Sequence, residues 1–486
     1  MSSQPESFSG DWITASHPNY SEAIARWASN AERRATAVAF VKSAQDVAIV
    51  LNHAKQHKLL IAIRGGGHSP SGASSIEGGI VVDLSRYLSG VRVDPVEKLA
   101  YVGGGAIWET VDKTAIEHGL AAVAGTVNHT GVGGLLLGGG YGFLTGEHGL
   151  ALDNLVRATV VTASGEILTV SATENADLFW GIRGAGCNFG IVTEFVIQLH
   201  PQRRTVFAGI IAYPPPTIDK AVSTAAQFLS EGLSEKETIF YAQTTDPGGN
   251  AVALFVLFWN GSGDDGRNHF KRFFDLGPVM DTCKEIPYEE LNAIQNFNVR
   301  HGNNYYMKGV FSSGPQADVA KNLVSRLPEL SKESSANITV VYELLPKEKT
   351  LSVPRNATAH IRVPLFNVLL IATWNDKDTN KVDVLRRATN ELASIVIQGE
   401  KVITEQLSIG YGNYSEPQER MGAESRMLIY PFADFEDIAS PAAGTAGPTA
   451  KAPALFAENY AKLQKLKKQY DPDLVFFKWN PVTPQA

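Results

Sequence analysis

Apolar positions in the first part of the chain switch repeatedly between two periods. Ala37-Val-Ala-Phe-Val41 is a short apolar run of the kind that fills a buried strand. Val47, Val50, Leu51 and Ala54 then recur at helical spacing behind Ser43, a good cap, which predicts a helix over Ala44–His57. Leu59–Ile63 returns to strand. Further strands are predicted at Ile80–Leu84, Val91–Asp94 and Leu99–Val102, then a helix over Ile107–His118 closed by Gly119. Leu155–Ala163 and Glu166–Ser171 flank Ser164-Gly165 and read as a hairpin. A helix at Asp177–Arg183 and a strand at Gly190–His200 complete this part.

From about residue 204 the strands lengthen. Val206–Tyr213, Thr238–Thr245, Ala251–Trp259, Asn337–Leu344 and Asn367–Trp374 alternate like antiparallel strands. Between them Ile218–Leu229, Gly266–Phe274, Pro315–Leu330 and Asp383–Val396 have helical periodicity. Ser440–Pro453, rich in Ala, Pro and Gly, is a predicted loop; a helix over Ala454–Gln469 and an extended tail follow. The fold class is therefore α+β, with a large antiparallel sheet backed by helices in the second part.

Glycine changes the picture. Arg64-Gly-Gly-Gly-His-Ser69 follows a strand and leaves the backbone bare, so its N–H groups can approach an anionic ligand such as a diphosphate. A second cluster follows at Gly131-Val-Gly-Gly-Leu-Leu-Leu-Gly-Gly-Gly-Tyr-Gly142. Neither matches the dinucleotide fingerprint of a Rossmann unit or a phosphate-binding P-loop, and no nucleophile elbow is present. His53 and His57 lie one turn apart without a third ligand, so no metal site is expected.

Composition narrows the class. In 486 residues, 44% are hydrophobic and 19% charged, as in a soluble globular protein. A net charge of -7 argues against a nucleic-acid partner. No apolar run is long enough to span a membrane, and no secretory signal precedes the first strand, which predicts a cytoplasmic location. Cys187 and Cys283 are the only cysteines, too few for a disulfide framework.

The glycine loops, taken with later motifs, resemble the berberine-bridge-enzyme-like flavoproteins of the vanillyl-alcohol-oxidase superfamily. Arg64–Ser69 resembles the family's first FAD loop, and Gly125-Thr-Val-Asn-His-Thr-Gly-Val-Gly-Gly134 with Leu137–Gly142 its second. Leu150–Leu155 and Asp177–Val192 follow in order. Tyr411-Gly-Asn-Tyr414 is similar to a late active-site strand, and Tyr470-Asp-Pro472 with Lys478-Trp-Asn-Pro481 to the C-terminal signature. The resemblance implies a two-part PCMH-type FAD-binding domain, residues 1–203 and 445–486, around a substrate domain, 204–444. It implies FAD bound covalently through His68. Many members add a cysteine link, but Val127 stands at that position, so a single bond is expected. Arg64, Gly65, Gly66, Gly67 and Ser69 are placed at the diphosphate. Gly125, Gly133, Gly134, Gly139, Asn154, Gly190, Ile191 and Asn480 are placed along the cofactor. Thr130 falls where the family gates oxygen, with nearly the shape of the usual Val but a hydroxyl added. His129 beside it contacts substrate or flavin, or makes a structural hydrogen bond.

The resemblance implies an FAD-linked oxidase. Hydride passes from an alcohol, sugar or secondary metabolite to FAD, and O2 reoxidises the flavin to give H2O2. Alternatives are a flavin dehydrogenase, an oxidative-cyclisation enzyme, or a non-catalytic flavin binder. The proton acceptor such a reaction needs is sought at Tyr411 or Tyr414. On a strand their odd spacing sends them to opposite faces, so only one could face the flavin. Arg300 or Arg362 could assist a tyrosine base, and Glu343 and His360 are alternatives, each with an exposed-face role open to it. Tyr305, Tyr306, Trp374 and Phe432 are aromatics that could stack on a ring substrate.

Overall fold

The computed structural model describes residues 3–375, 381–401, 405–414 and 451–485. Phe432, residues 440–450 of the expected loop and the expected 444/445 boundary lie outside them.

Ser43 accepts from the Asp46 backbone N–H at 3.1 Å, so the first long helix, Ala44–Gln56, begins where its cap places it. It packs on a sheet ordered Asp11–Thr14, Ala37–Phe40, Ile80–Asp83, Ile61–Arg64, the last three parallel. Ending the Ile61–Arg64 strand beside Asp83 delivers the chain directly into the first glycine loop. A second, antiparallel sheet follows the order Val91–Asp94, Leu99–Gly103, Ile191–Gln198, Leu155–Val161, Ile167–Ser171. The second glycine cluster is not all loop: Val132–Leu137 forms a short helix that starts at Gly131.

The large sheet runs Met280–Asp281, Thr205–Tyr213, Ala251–Trp259, Glu237–Thr245, Asn337–Leu344, Phe366–Trp374, Asn304–Ser312, all antiparallel. Its two faces are both covered. Ile338, Val340, Tyr342 and Leu344 share a core with the helices Pro215–Ser230, Ala317–Ser334 and Lys381–Gln398. The alternate residues Thr339, Val341 and Glu343 face a cavity on the other side. The same division holds for Ile239 and Tyr241 against Phe240 and Ala242.

Some expected elements change. The Asn304–Ser312 strand was not anticipated. The Gly266–Phe274 helix is two short helices, Gly263–His269 and Lys271–Phe274, broken at Phe270. The closing helix is also interrupted, as Lys451–Phe456 and Tyr460–Tyr470 flank a single 3-10 turn.

The tail then folds back on the first part of the chain. Lys467, fully buried, donates to the Asn188 carbonyl at 2.8 Å, the Asp471 carboxylate at 2.6 Å and the Phe476 carbonyl at 2.7 Å. A charge with three partners can be buried where a lone one cannot, and this one fixes Val475–Trp479 along the cavity rim.

Candidate active site

A cavity of about 1130 Å³ lies between the two glycine loops and the face of the large sheet turned away from the helices. That exceeds the space taken by a single drug-sized ligand, roughly 300–1,000 Å³, and is wide enough for a dinucleotide with a second molecule beside it. Its walls differ sharply. One is backbone, from Gly65–Ser69, Gly125–Val127 and Thr130 through Gly131–Leu135. The other is side chain, an aliphatic patch of Ile210, Ala212, Leu254, Val256, Val341, Leu369 and Ile371 with polar Thr244, Asn337, Thr339 and Thr373 also in the lining.

The glycine wall fits an extended anionic cofactor. A Cβ on Gly66 would stand 2.5 Å from the Gly131 Cα, so the two loops touch backbone to backbone and admit no side chain. Gly67 has φ +69°, a left-handed conformation that favours glycine. A Cβ on Gly134 would meet no atom within 4 Å and would project into the cavity. Space is therefore kept at Gly134 where a side chain would fill it, as a cradle for FAD requires.

His68 closes one end of this wall. Its ring stacks on Trp27 with centroids 4.0 Å apart and planes at 9°, and Trp27 stacks in turn on Tyr305 at 3.8 Å. His68 Nε2 is 3.0 Å from His129 Nδ1. Burial, with His129 and His301 nearby, holds the His68 imidazole well below its ordinary pKa, so it is neutral.

The opposite wall carries Glu343, a carboxylate buried near the end of Asn337–Leu344; Asp246, which also lines the cavity, is exposed. Tyr414 donates to Glu343 Oε1 at 2.8 Å, Asn367 donates to Oε2 at 2.5 Å, and the Tyr141 hydroxyl makes a short contact with Oε2. Burial raises the Glu343 pKa and these hydrogen bonds lower it; the balance sits at about 7. Such a carboxyl can take and release a proton near neutrality.

Tyr411 and Tyr414 do not lie on a strand. After the short helix Glu405–Ile409 the chain turns, and the Tyr414 N–H donates to the Tyr411 carbonyl at 2.9 Å. The turn brings both rings to the same side, 5.3 Å apart, correcting the expectation of opposite faces. They take different partners. The Tyr411 hydroxyl accepts from the Gly140 N–H at 2.8 Å and from Asn413 at 2.7 Å. Burial pushes both phenols well above their ordinary pKa, so neither is an ionised base.

Other expected site residues divide by position. Gly65, Gly66, Gly67, His68, Ser69, Gly125, Thr130, Gly133, Gly134, Gly190 and Ile191 line the cavity. Arg64, His129, Gly139, Asn154 and Asn480 do not, each for a local reason. Arg64 is drawn back by Asp83, 3.0 Å away. His129 is turned to His68. Gly139 faces His360 and Tyr411. Asn154 donates to the Leu150 carbonyl at 2.8 Å and accepts from His200 at 2.7 Å. Asn480 donates to the Gly412 carbonyl at 3.3 Å.

The candidate cations and acids also separate. Arg362 pairs with Asp153 at 2.5 Å and lines a smaller cavity with Tyr411, while Arg300 lines the main cavity. His360 is held neutral, its pKa lowered to about 4 by burial and by Arg362, and it lines a smaller cavity behind Tyr411. Cys187 lines the main cavity as a thiol, its pKa pushed up to about 12 by burial. Tyr141, Asn367 and Asn413 were not anticipated. Tyr141 lies inside the second glycine cluster, and its place there was the available signal.

Residues 35–171 match the family described as FAD binding domain, and residues 411–481 that described as berberine and berberine like. An Aspergillus terreus protein, FAD-linked oxidoreductase pgmH, is 33% identical over 485 residues, 97% of this chain and 92% of that protein. (R)-6-hydroxynicotine oxidase of Paenarthrobacter nicotinovorans is 40% identical over 378 residues, 76% of this chain and 81% of that protein. The crystal structure of 6-hydroxy-D-nicotine oxidase from Arthrobacter nicotinovorans superposes with a TM-score of 0.82 at 26% identity, covering 99% of this chain and 100% of that one. A chitooligosaccharide oxidase shares the fold, with a TM-score of 0.79 at 20% identity over 98% of each chain.

Proposed function

The chain belongs to the berberine-bridge-enzyme-like FAD-linked oxidoreductases, and on that premise we propose that it is an oxidase for a small, largely apolar molecule bearing one hydroxyl or amine. The observation that carries this reading is Glu343, a buried carboxyl with three polar partners set in an aliphatic wall opposite the glycine loops. The cradle would hold FAD, which would supply the hydride acceptor for the substrate carbon and be reoxidised by O2 with release of H2O2.

The residues then have separate tasks. The glycine loops hold the diphosphate with backbone N–H groups. His68 is the single covalent anchor, since Val127 offers no second nucleophile. Glu343 takes the proton from the substrate hydroxyl or amine, and Tyr141, Tyr414 and Asn367 hold its carboxylate in place. Ile210, Leu254, Val256, Leu369 and Ile371 exclude water and offer no partners to a polyhydroxylated sugar. The similarity to an oxidase named for 6-hydroxynicotine supports an aryl or heterocyclic amine over an oligosaccharide.

Anaerobic bleaching of the bound flavin tests this reading. Aryl alcohols, cyclic amines and oligosaccharides are mixed in turn with the holoenzyme. Bleaching by the first two classes, with fast return of colour in air, is expected. Bleaching by oligosaccharides alone removes the substrate class, and slow recovery in air removes the oxidase.

A further inference from the structure

Three imidazoles run from the cavity toward the surface. His68 lines the cavity, half-buried; His129 lies behind it; His301 is exposed, its ring centroid 4.7 Å from that of His129. The contact between the first two is specific. His68 Nε2 and His129 Nδ1 are 3.0 Å apart, a hydrogen bond that holds one proton between two ring nitrogens. Trp27 fixes the plane of the His68 ring from one side. His68 can therefore offer only Nδ1 to a new bond, because Nε2 is engaged.

That constraint has a chemical consequence. For Nδ1 to act as a nucleophile it needs its lone pair, so the ring proton must sit on Nε2 and be donated to His129. Once Nδ1 is bonded, the ring is a cation until Nε2 gives the proton up, and its surroundings disfavour a cation. His129 Nδ1 is already in place to receive it. Burial and His301 lower the His129 pKa to about 4, against the smaller pull of Glu109 and the Val299 backbone toward the protonated ring. The proton is thus taken briefly and passes on to water at the exposed His301 side.

Resting on the reading of His68 as the FAD tether, we propose that His129 is the proton acceptor for covalent attachment, taking the His68 Nε2 proton as Nδ1 bonds the cofactor's 8α carbon. In that step a C–N bond forms and one C–H bond of the 8α-methyl breaks. The electron pair of the broken bond reduces the flavin by two electrons. The two protons released, one from the 8α carbon and one from His68, balance the dihydro form. O2 then takes two electrons and two protons, giving H2O2 and an oxidised, attached flavin. His129 does not line the cavity and contacts His68, so it is a positioning and proton-accepting residue that acts through His68.

The test compares wild type, His129→Ala, His129→Gln and His68→Ala as purified full-length proteins. Total FAD is read by absorbance of the native protein, and attached FAD by mass after denaturation, over time in air. Glutamine can hydrogen-bond His68 but cannot carry the proton. Expected are near-normal total FAD in both His129 variants and attachment at least tenfold slower than in wild type. Added imidazole should restore the rate in His129→Ala, an effect that a packing role would not produce. Wild-type attachment rates in both His129 variants overturn the proposal while leaving the tether intact. An unattached wild type, or an attached His68→Ala, overturns the tether and this proposal together.

Discussion

Glu343 shows how two opposing effects set one side chain's chemistry. Burial alone would hold the acid protonated through most of the physiological range, and the three polar contacts pull it back to about 7. The base is competent only when ionised, so turnover should rise with pH along a limb near 7 and fall below it. Removing a donor that stabilises the anion moves the limb upward. Tyr414→Phe should shift it to higher pH by roughly 0.5–1 unit, the equivalent of one hydrogen bond of about 1 kcal/mol; the pH profile of kcat/KM checks this. Glu343 was visible in the sequence as a strand residue and an alternative base, with an exposed-face role open to it. On a sheet with one solvated face it would point outward; here both faces are covered, so the same alternation points it into the cavity. Arg64 has a partner that no local pattern records. It stands beside the glycine run, yet its charge is taken up by Asp83, nineteen positions on in the chain and adjacent only across the parallel sheet.

At the scale of elements, Trp108–Ile116 carries a buried acid. Asp112 accepts from Asn292 at 2.6 Å, and burial pushes its pKa up to about 7. Its folded pKa lies above the unfolded value, so its stabilising proton is fully present below about pH 4 and is lost as pH rises toward 7. Asp112→Asn should therefore stabilise the protein increasingly from pH 4 to 7 and level off above, by roughly 1–3 kcal/mol at pH 8; thermal melts across pH measure the gap. Elements with a clean period were legible: the Ala44–Gln56 helix and its cap, and the Ala251–Trp259 strand. Asn304–Ser312 was not, because it packs on both faces and its Tyr-Tyr-Met-Lys-Gly run does not alternate. The Tyr411–Tyr414 turn was missed for a related reason. Its conformation is set by long-range partners that no local pattern records: the Tyr411 N–H donates to Asn367 Oδ1, and the Gly140 N–H donates to the Tyr411 hydroxyl.

Across the whole molecule, the short segment Trp27–Asn30 ties the glycine loop to the far edge of the large sheet. The Trp27 N–H donates to the Gly67 carbonyl at 3.3 Å, its indole to the Val299 carbonyl at 2.8 Å, and the Ser29 N–H to the Asn303 carbonyl at 2.9 Å. Asn30 pairs with both the N–H and the carbonyl of Tyr305, each at 2.9 Å, as a neighbouring strand would. Asn30→Ala leaves both Tyr305 groups without that partner and should cost roughly 1–3 kcal/mol, measured as a lower midpoint in denaturant. Because the same segment stacks Trp27 on His68, the loss should also loosen the cavity at the His68 end. The two walls of the cavity come from distant parts of the chain, and the segment keeps them in register.

Single-turnover bleaching of the flavin by Glu343→Gln, followed anaerobically at pH 8 against wild type, tests the assigned chemistry most directly. Glutamine preserves the shape and can still hydrogen-bond to the Tyr141 and Tyr414 hydroxyls, but it cannot accept the substrate proton. A bleaching rate lower by roughly 10²–10⁴-fold, with the wild-type limb near pH 7 abolished and native FAD content unchanged, is expected. Bleaching at the wild-type rate with the limb intact would contradict the assignment of Glu343 as the base.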